Sequence, residues 1–160
     1  MAFSPRVFVL LCGISGLLTG AWAKPSKNRA LCCPKGWDQF NDRCYIFQDE
    51  ARTFTDAERI CNLLGGNLAS ISDELENAVV YHLVEEADAN QAWIGLHDNI
   101  EEEDFMWLDG TKFEFENFAN GEPGGDMCVV IEADGGEWVG ESCDSEEPYV
   151  CVADAFCYRH

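Results

Sequence analysis

The sequence predicts an α+β domain, and three observations carry that reading. Two segments of helical periodicity come early, and five short β-like runs separated by Gly, Asp, Asn and Pro follow them. Helices and strands segregated in this way favour α+β over a parallel α/β sheet. Eight cysteines downstream of an apolar N-terminal stretch suggest a disulfide framework, and 160 residues are enough for one domain with a real core.

Along the chain, Arg6 precedes the apolar run Val7–Leu18, and "AWA" ends at Ala23. That pattern fits a signal peptide over 1–23, cleaved after Ala23. The run is too short for a membrane anchor, so a secreted, extracellular protein is expected. Residues 24–32 are basic and read as a short leader. The domain is then expected over 33–160, with a short C-terminal tail. "RCYIFQ" (Arg43–Gln48) is β-branched and aromatic and predicts a strand. "TDAERICNLLGG" predicts a helix capped by Thr55 with Glu58 three residues on, with Ala57, Ile60, Cys61 and Leu64 inward and Gly65-Gly66 as the stop. "SDELENAVVYHLVEEA" predicts a second helix, capped by Ser72 and lined by Leu75, Val79 and Leu83. The strand-like runs are "AWIGL", "FMWLDG", "MCVVIE", "GEWVG" and "PYVCVA".

Charge narrows the partners. The chain carries a formal charge of −20, and between Ile60 and Asp154 there are 24 Asp and Glu against one base, Lys112. Phosphate-bearing partners would be repelled, which argues against nucleic acid and anionic membranes. A solvated acidic face is the ordinary reading of such a bias, and divalent cations, mineral surfaces or basic proteins are the sharper one. Catalytic signatures are missing: there is no G-x-S-x-G elbow, H-E-x-x-H or phosphate loop, and the histidines are His82, His97 and His160 only. No enzyme is expected.

Once Cys12 leaves with the signal peptide, Cys32, Cys33, Cys44, Cys61, Cys128, Cys143, Cys151 and Cys157 remain. An even count in an oxidising compartment points to disulfides, and the absence of any CxxC pair argues against zinc. Spacing alone does not choose among the 105 pairings that eight cysteines allow.

"CPKGWDQFNDRCY", "WIGL" at Trp93–Leu96, "FMWLDG" at Phe105–Gly110 and the series Cys128, Trp138, Cys143, Cys151 resemble the C-type lectin-like domain. The resemblance spans about Cys33 to Val152. In style it lies nearest the secreted single-domain lectins of fish, to which type II antifreeze proteins are related. It implies a fold of two helices with mixed and antiparallel sheets and long loops. It also implies the bridges Cys61–Cys151, Cys128–Cys143 and Cys33–Cys44. Cys32 and Cys157 are left near the two termini, and their position and even number favour an intrachain bridge over a disulfide-linked dimer. WIGL itself reads as a core strand packed closely against another backbone, with no ligand role.

In sugar-binding members, a Glu-Pro-Asn or Gln-Pro-Asp turn, an acidic residue before the next cysteine and a Trp-Asn-Asp triplet share calcium and sugar. Here "EPGGDMC" keeps Glu122 and Asp126 but has Gly124 in the third position, and the triplet reads Trp138-Val139-Gly140. The resemblance implies Glu122 and Asp126 as carbohydrate-binding residues. It also implies an auxiliary calcium group of Asp98, Glu102, Glu122 and Asp126, with a solvated acidic loop as the plain alternative. Calcium takes six to eight oxygens, so such a set predicts weak binding at best. The expected function is carbohydrate recognition on microbial or host surfaces, as in innate immunity, with an impaired or absent calcium-dependent sugar site. The alternative is a lectin-derived scaffold that binds protein, mineral or ice.

Overall fold

The structure, a computed structural model, describes residues 31–98, 104–119 and 128–157. The expected signal peptide, the expected leader up to residue 30 and residues 158–160 lie outside the described residues. Among those described, the order is β1 (Asp38–Phe40), β2 (Arg43–Arg52), α1 (Phe54–Leu64), β3 (Asn67–Leu68), α2 (Glu74–Glu86), β4 (Gln91–Asp98), β5 (Phe105–Trp107), β6 (Cys128–Glu132), β7 (Trp138–Glu141) and β8 (Glu147–Asp154). The fold is α+β, and each strand-like run of the sequence lies in a strand or at its edge.

The strands join in the order β1-β2-β8-β4-β6-β7, with β3 on β8 and β5 on β4. β8 pairs antiparallel with β2, from Arg43 opposite Asp154 to Gln48 opposite Tyr149, and meets β4 in parallel at Trp93 and Tyr149. The last strand therefore sits beside the second, in the middle of the sheet. Its burial explains the continuous apolar run Tyr149–Val152, all of it at most 3% exposed.

Helix α1 starts two residues earlier than the sequence suggests. Thr53 is the cap, accepting from the Asp56 N–H, and Thr55 lies inside the first turn. The cause is Phe54, whose ring packs edge-on against Trp93 at 5.5 Å and draws the first turn inward. Glu58, expected to close a capping box, instead accepts from Asn67 Nδ2 at 2.6 Å and the Leu68 N–H at 2.7 Å, tying α1 to β3. The buried stripe is Phe54, Ala57 and Cys61, whereas Leu64 is 45% exposed. Gly65 ends the helix at φ 94°, a left-handed conformation that costs glycine little. Gly66 follows against β8, where a Cβ would lie 2.0 Å from the Val152 carbonyl oxygen.

Helix α2 is capped by Asp73, which accepts from the Glu76 N–H at 2.9 Å; Ser72 gives its own N–H to Glu76 Oε2 at 2.8 Å. The buried face is Glu76, Asn77, Val80, Leu83 and Val84, rotated from the predicted line, and Leu75 is 65% exposed. Polar partners set this rotation. Asn77 accepts from Trp138 Nε1 at 2.7 Å and donates to the Gly136 carbonyl at 3.0 Å. Glu76 meets Arg43 Nη1 at 2.9 Å. A hydrophobic count cannot see such an inward polar face, because burial there is made favourable by specific partners.

Arg43 links four parts of the fold. Its guanidinium donates to the Ser70 carbonyl at 3.0 Å, to Glu76, to Ser70 Oγ and to Asp109 Oδ2 at 3.4 Å. It also lies over the Tyr45 ring at 5.4 Å. Burial works against its charge, but Tyr45, Glu76 and Asp109 more than offset this and raise its pKa. Burial also pushes the Tyr45 phenol well up, so the ring stays neutral beneath the cation.

Four bridges close the chain: Cys33–Cys44, Cys61–Cys151, Cys128–Cys143 and Cys32–Cys157, with Cα separations of 5.5, 5.4, 5.2 and 5.0 Å. Cys61–Cys151 ties α1 to the central strand, and Cys128–Cys143 ties β6 to the segment after β7. Cys32 and Cys157 pair within the chain.

Two consequences can be measured by urea unfolding. Arg43→Met strands the Glu76 and Asp109 carboxylates, whose side chains are 9% and 17% exposed, and should cost about 3–5 kcal/mol. Adding Glu76→Met should recover part of that loss; equal stability of wild type and Arg43→Met would remove the network's structural role. Gly95→Ala places a Cβ 2.6 Å from the Leu68 carbonyl oxygen and should destabilise by about 1–3 kcal/mol. A neutral result would mean that β3 and β4 do not approach as closely as the structure has them.

Candidate functional site

Of the predicted site residues, the structure describes Asp98, which lies at one end of the sheet. β4 delivers Asp98 as its last residue, directly opposite Phe105 of β5. One position back, His97 lies between Met106 of β5 and Cys128 of β6. The register thus sets the end of β4, the start of β5 and the start of β6 side by side, from opposite ends of two intervening stretches of chain. Glu102 belongs to the first stretch, and Glu122 and Asp126 to the second; all three lie outside the described residues. Glu101, Glu103 and Gly124 lie outside them as well.

Asp98 is the predicted ligand whose surroundings are described. Its Oδ1 is buried and has no hydrogen-bond partner among the described residues. A carboxylate oxygen shielded from water without a donor is costly, and a cation or a donor from outside would relieve it. His97 is half-buried, donating from Nδ1 to the Asp98 carbonyl at 3.0 Å, with its ring edge-on to Phe54 at 6.2 Å. Its ring is thus engaged by backbone and packing. Among the described residues, no group of three or more His, Cys, Asp or Glu side chains is gathered as for a metal ion.

β7 holds the other part of the predicted pattern. Trp138 is fully buried and meets Trp107, Phe115 and Phe118 edge-on, each at 5.6 Å. Val139 pairs with Val130 and packs on the core around Trp93 and Tyr149, and Gly140 pairs with Val129. Neither offers a side-chain oxygen. The next acid, Glu141, is engaged locally: its Oε1 accepts from the Ser142 N–H at 2.9 Å and from Ser145 Oγ at 2.8 Å.

A polar cavity of about 540 Å³ opens elsewhere, lined by Asp42, Arg43, Glu76, Asp109, Thr111 and Asp154 among others. Sequence reasoning missed it. The available signal was a base opening an apolar strand and an acid on the inner face of a helix. Nothing in the spacing says that Arg43, Glu76 and Asp109 meet, because they lie on three separate elements. Its innermost charges pair with one another, so the cavity wall is a structural lock.

Comparison with known proteins accords with this architecture. Residues 50–153 match the lectin C-type domain. The chain is 35% identical to ladderlectin of Oncorhynchus mykiss over 127 residues, covering 72% of this chain and 65% of ladderlectin. It is 29% identical over 158 residues to the galactose-specific lectin nattectin of Thalassophryne nattereri, covering 95% of this chain and 98% of nattectin. Among solved structures, a calcium-independent type II antifreeze protein superposes with a TM-score of 0.75 at 28% identity, covering 81% of this chain and 99% of that one. With the domain match spanning most of the chain and the sheet order, bridges and buried tryptophans arranged around it, the chain belongs to the C-type lectin domain family.

Proposed function

We propose that the protein is a secreted, non-catalytic binding module that recognises carbohydrate without a working calcium-dependent sugar site. Family membership and the likeness to lectins, one of them galactose-specific, support the carbohydrate half of this reading. The observation that carries the other half is β7, where Val139 and Gly140 offer backbone and hydrocarbon at the positions of the family's oxygen ligands. Secretion into an oxidising compartment is supported by the Val7–Leu18 apolar run before Ala23 and by four disulfides. No helix among the described residues is long and apolar enough to cross a membrane. The domain of function is residues 33–160, acting as a monomer whose terminal cysteines pair internally.

Calcium fits this site only in part. Asp98 supplies a buried oxygen that has no partner among the described residues, and Glu102, Glu122 and Asp126 would be its companions. A cation held there would relieve repulsion among these carboxylates. It would lack the side-chain oxygens that sugar hydroxyls share with it. A glycan would then be held by hydrogen bonds and aromatic stacking. The second reading, a lectin-derived scaffold for protein, mineral or ice, is favoured by the likeness to a calcium-independent antifreeze protein and by the acidic surface.

Calorimetry and a glycan array, each with and without chelator, separate these readings. Calcium should bind with a dissociation constant of about 10⁻⁴–10⁻³ M, and Asp98→Ala or Asp126→Ala should weaken it. Array binding should survive chelation. Micromolar calcium affinity with chelator-sensitive binding of galactose or mannose would overturn the impaired site. An array without any retained glycan would favour the scaffold.

A further inference from the structure

The four disulfides are not equally accessible. Cys44, Cys61 and Cys151 are fully buried and Cys128 is 3% exposed, so three bridges each have at least one cysteine sealed in the core. The fourth does not. Cys32 is exposed and Cys157 half-buried, and their neighbours Leu31 and Phe156 are 44% and 53% exposed.

The chain around this bridge is also weakly tied. Leu31, Cys32, Phe156 and Cys157 make no backbone–backbone hydrogen bond among the described residues; the Cys32 carbonyl lies 3.9 Å from Cys44 Sγ. The next anchors inward are the Cys33–Cys44 bridge on one side and Ala155 on the other, 1% exposed with its N–H on the Asp42 carbonyl at 2.7 Å. Opening Cys32–Cys157 therefore releases only the outermost residues. Opening Cys61–Cys151 would instead require α1 to lift from β8, and opening Cys128–Cys143 would expose the end of β6. Exchange with a thiol depends on access to the sulfurs, and local opening is cheapest where few contacts must break.

We propose that Cys32–Cys157 is a redox-labile clasp on the two termini, opened by small thiols while the other three bridges stay closed, and that it accepts a low-molecular-weight thiol as a mixed disulfide. A thiolate attacks Cys32 Sγ, the Sγ–Sγ bond breaks, and Cys157 leaves as a thiolate. The product is Cys32 joined to the incoming sulfur. A second thiolate attacks that incoming sulfur, releasing Cys32 as a thiolate and forming the small disulfide. Two small thiols are thereby oxidised by two electrons, and the bridge is reduced by two. The domain is unaffected, because every β8 contact lies inward of the break.

The folded wild-type protein tests this directly. It is exposed to graded dithiothreitol, quenched in acid and alkylated, and each cysteine is read by fragment sequencing, since Cys32 and Cys33 share a peptide. Cys32 and Cys157 should label at reductant exposures about tenfold below those needed for Cys33, Cys44, Cys61, Cys151, Cys128 or Cys143, with the near-ultraviolet circular dichroism unchanged. Reduced and oxidised glutathione in place of dithiothreitol should leave a glutathione adduct on Cys32 or Cys157. The Cys32→Ser, Cys157→Ser double variant should keep the other three pairings and the same spectrum. Core cysteines labelling at the same dose, spectral loss in step with the first labelling, absence of any adduct, or scrambled bridges in the double variant would each overturn the proposal.

Discussion

The placement of β8 is the constraint on which the rest of the structure depends. It is the last strand made, yet it pairs with β2, β3 and β4 at once. Neither the N-terminal hairpin nor the β4–β6–β7 ladder is joined to the other until it is in place. Bringing such distant segments together is entropically costly, and Cys61–Cys151, 90 residues apart in sequence, offsets part of that by restricting the open chain. Gly66 serves the same docking: with no side chain, it lets α1 turn down onto Val152.

A second layer of specification is polar and lies inside. Trp138 is surrounded by aromatic rings, but its indole N–H goes to Asn77, and Asn77 in turn holds the Gly136 carbonyl. Asn117 grips that same carbonyl from the other side at 2.8 Å. Together with the Arg43–Glu76 pair, these bonds fix how α2 is turned against the sheet. Apolar surface alone would accept several rotations of a helix whose hydrophobic residues form no sharp stripe. A buried amide and a buried carboxylate accept one, because any other leaves them unpaired.

This interior also shapes the end of the sheet where the proposed site lies. The sheet brings Asp98, Phe105 and Cys128 to a common edge, so the acidic stretches between them start and finish at one place. The same register pairs Val139 and Gly140 with the core strand β6 and packs the Val139 side chain on the core. One end of the sheet thus combines an Asp98 oxygen that has no donor among the described residues with two β7 positions, Val139 and Gly140, that carry no side-chain oxygen. That combination is what motivates the proposal of weak metal chemistry on a lectin fold.

The sequence alone determined the fold class, the positions of most strands and the helix stop at Gly65-Gly66. Each of these is written in local patterns: period-two runs, glycine pairs, a close-approach glycine between Trp93 and Leu96. The missing oxygens at Val139 and Gly140 were equally plain, since an absent side chain needs no coordinates. Tertiary structure decided what depends on partners distant in the chain. Thr53 rather than Thr55 caps α1 because Phe54 finds Trp93. Leu75 faces outward and Glu76 inward because Arg43 and Trp138 hold Glu76 and its neighbour Asn77. Asp98 carries a buried oxygen with no partner among the described residues because β4 ends against β5 and β6. Local periodicity measures how much apolar surface a segment offers; which polar group is buried, and against what, is fixed only when the strands close around β8.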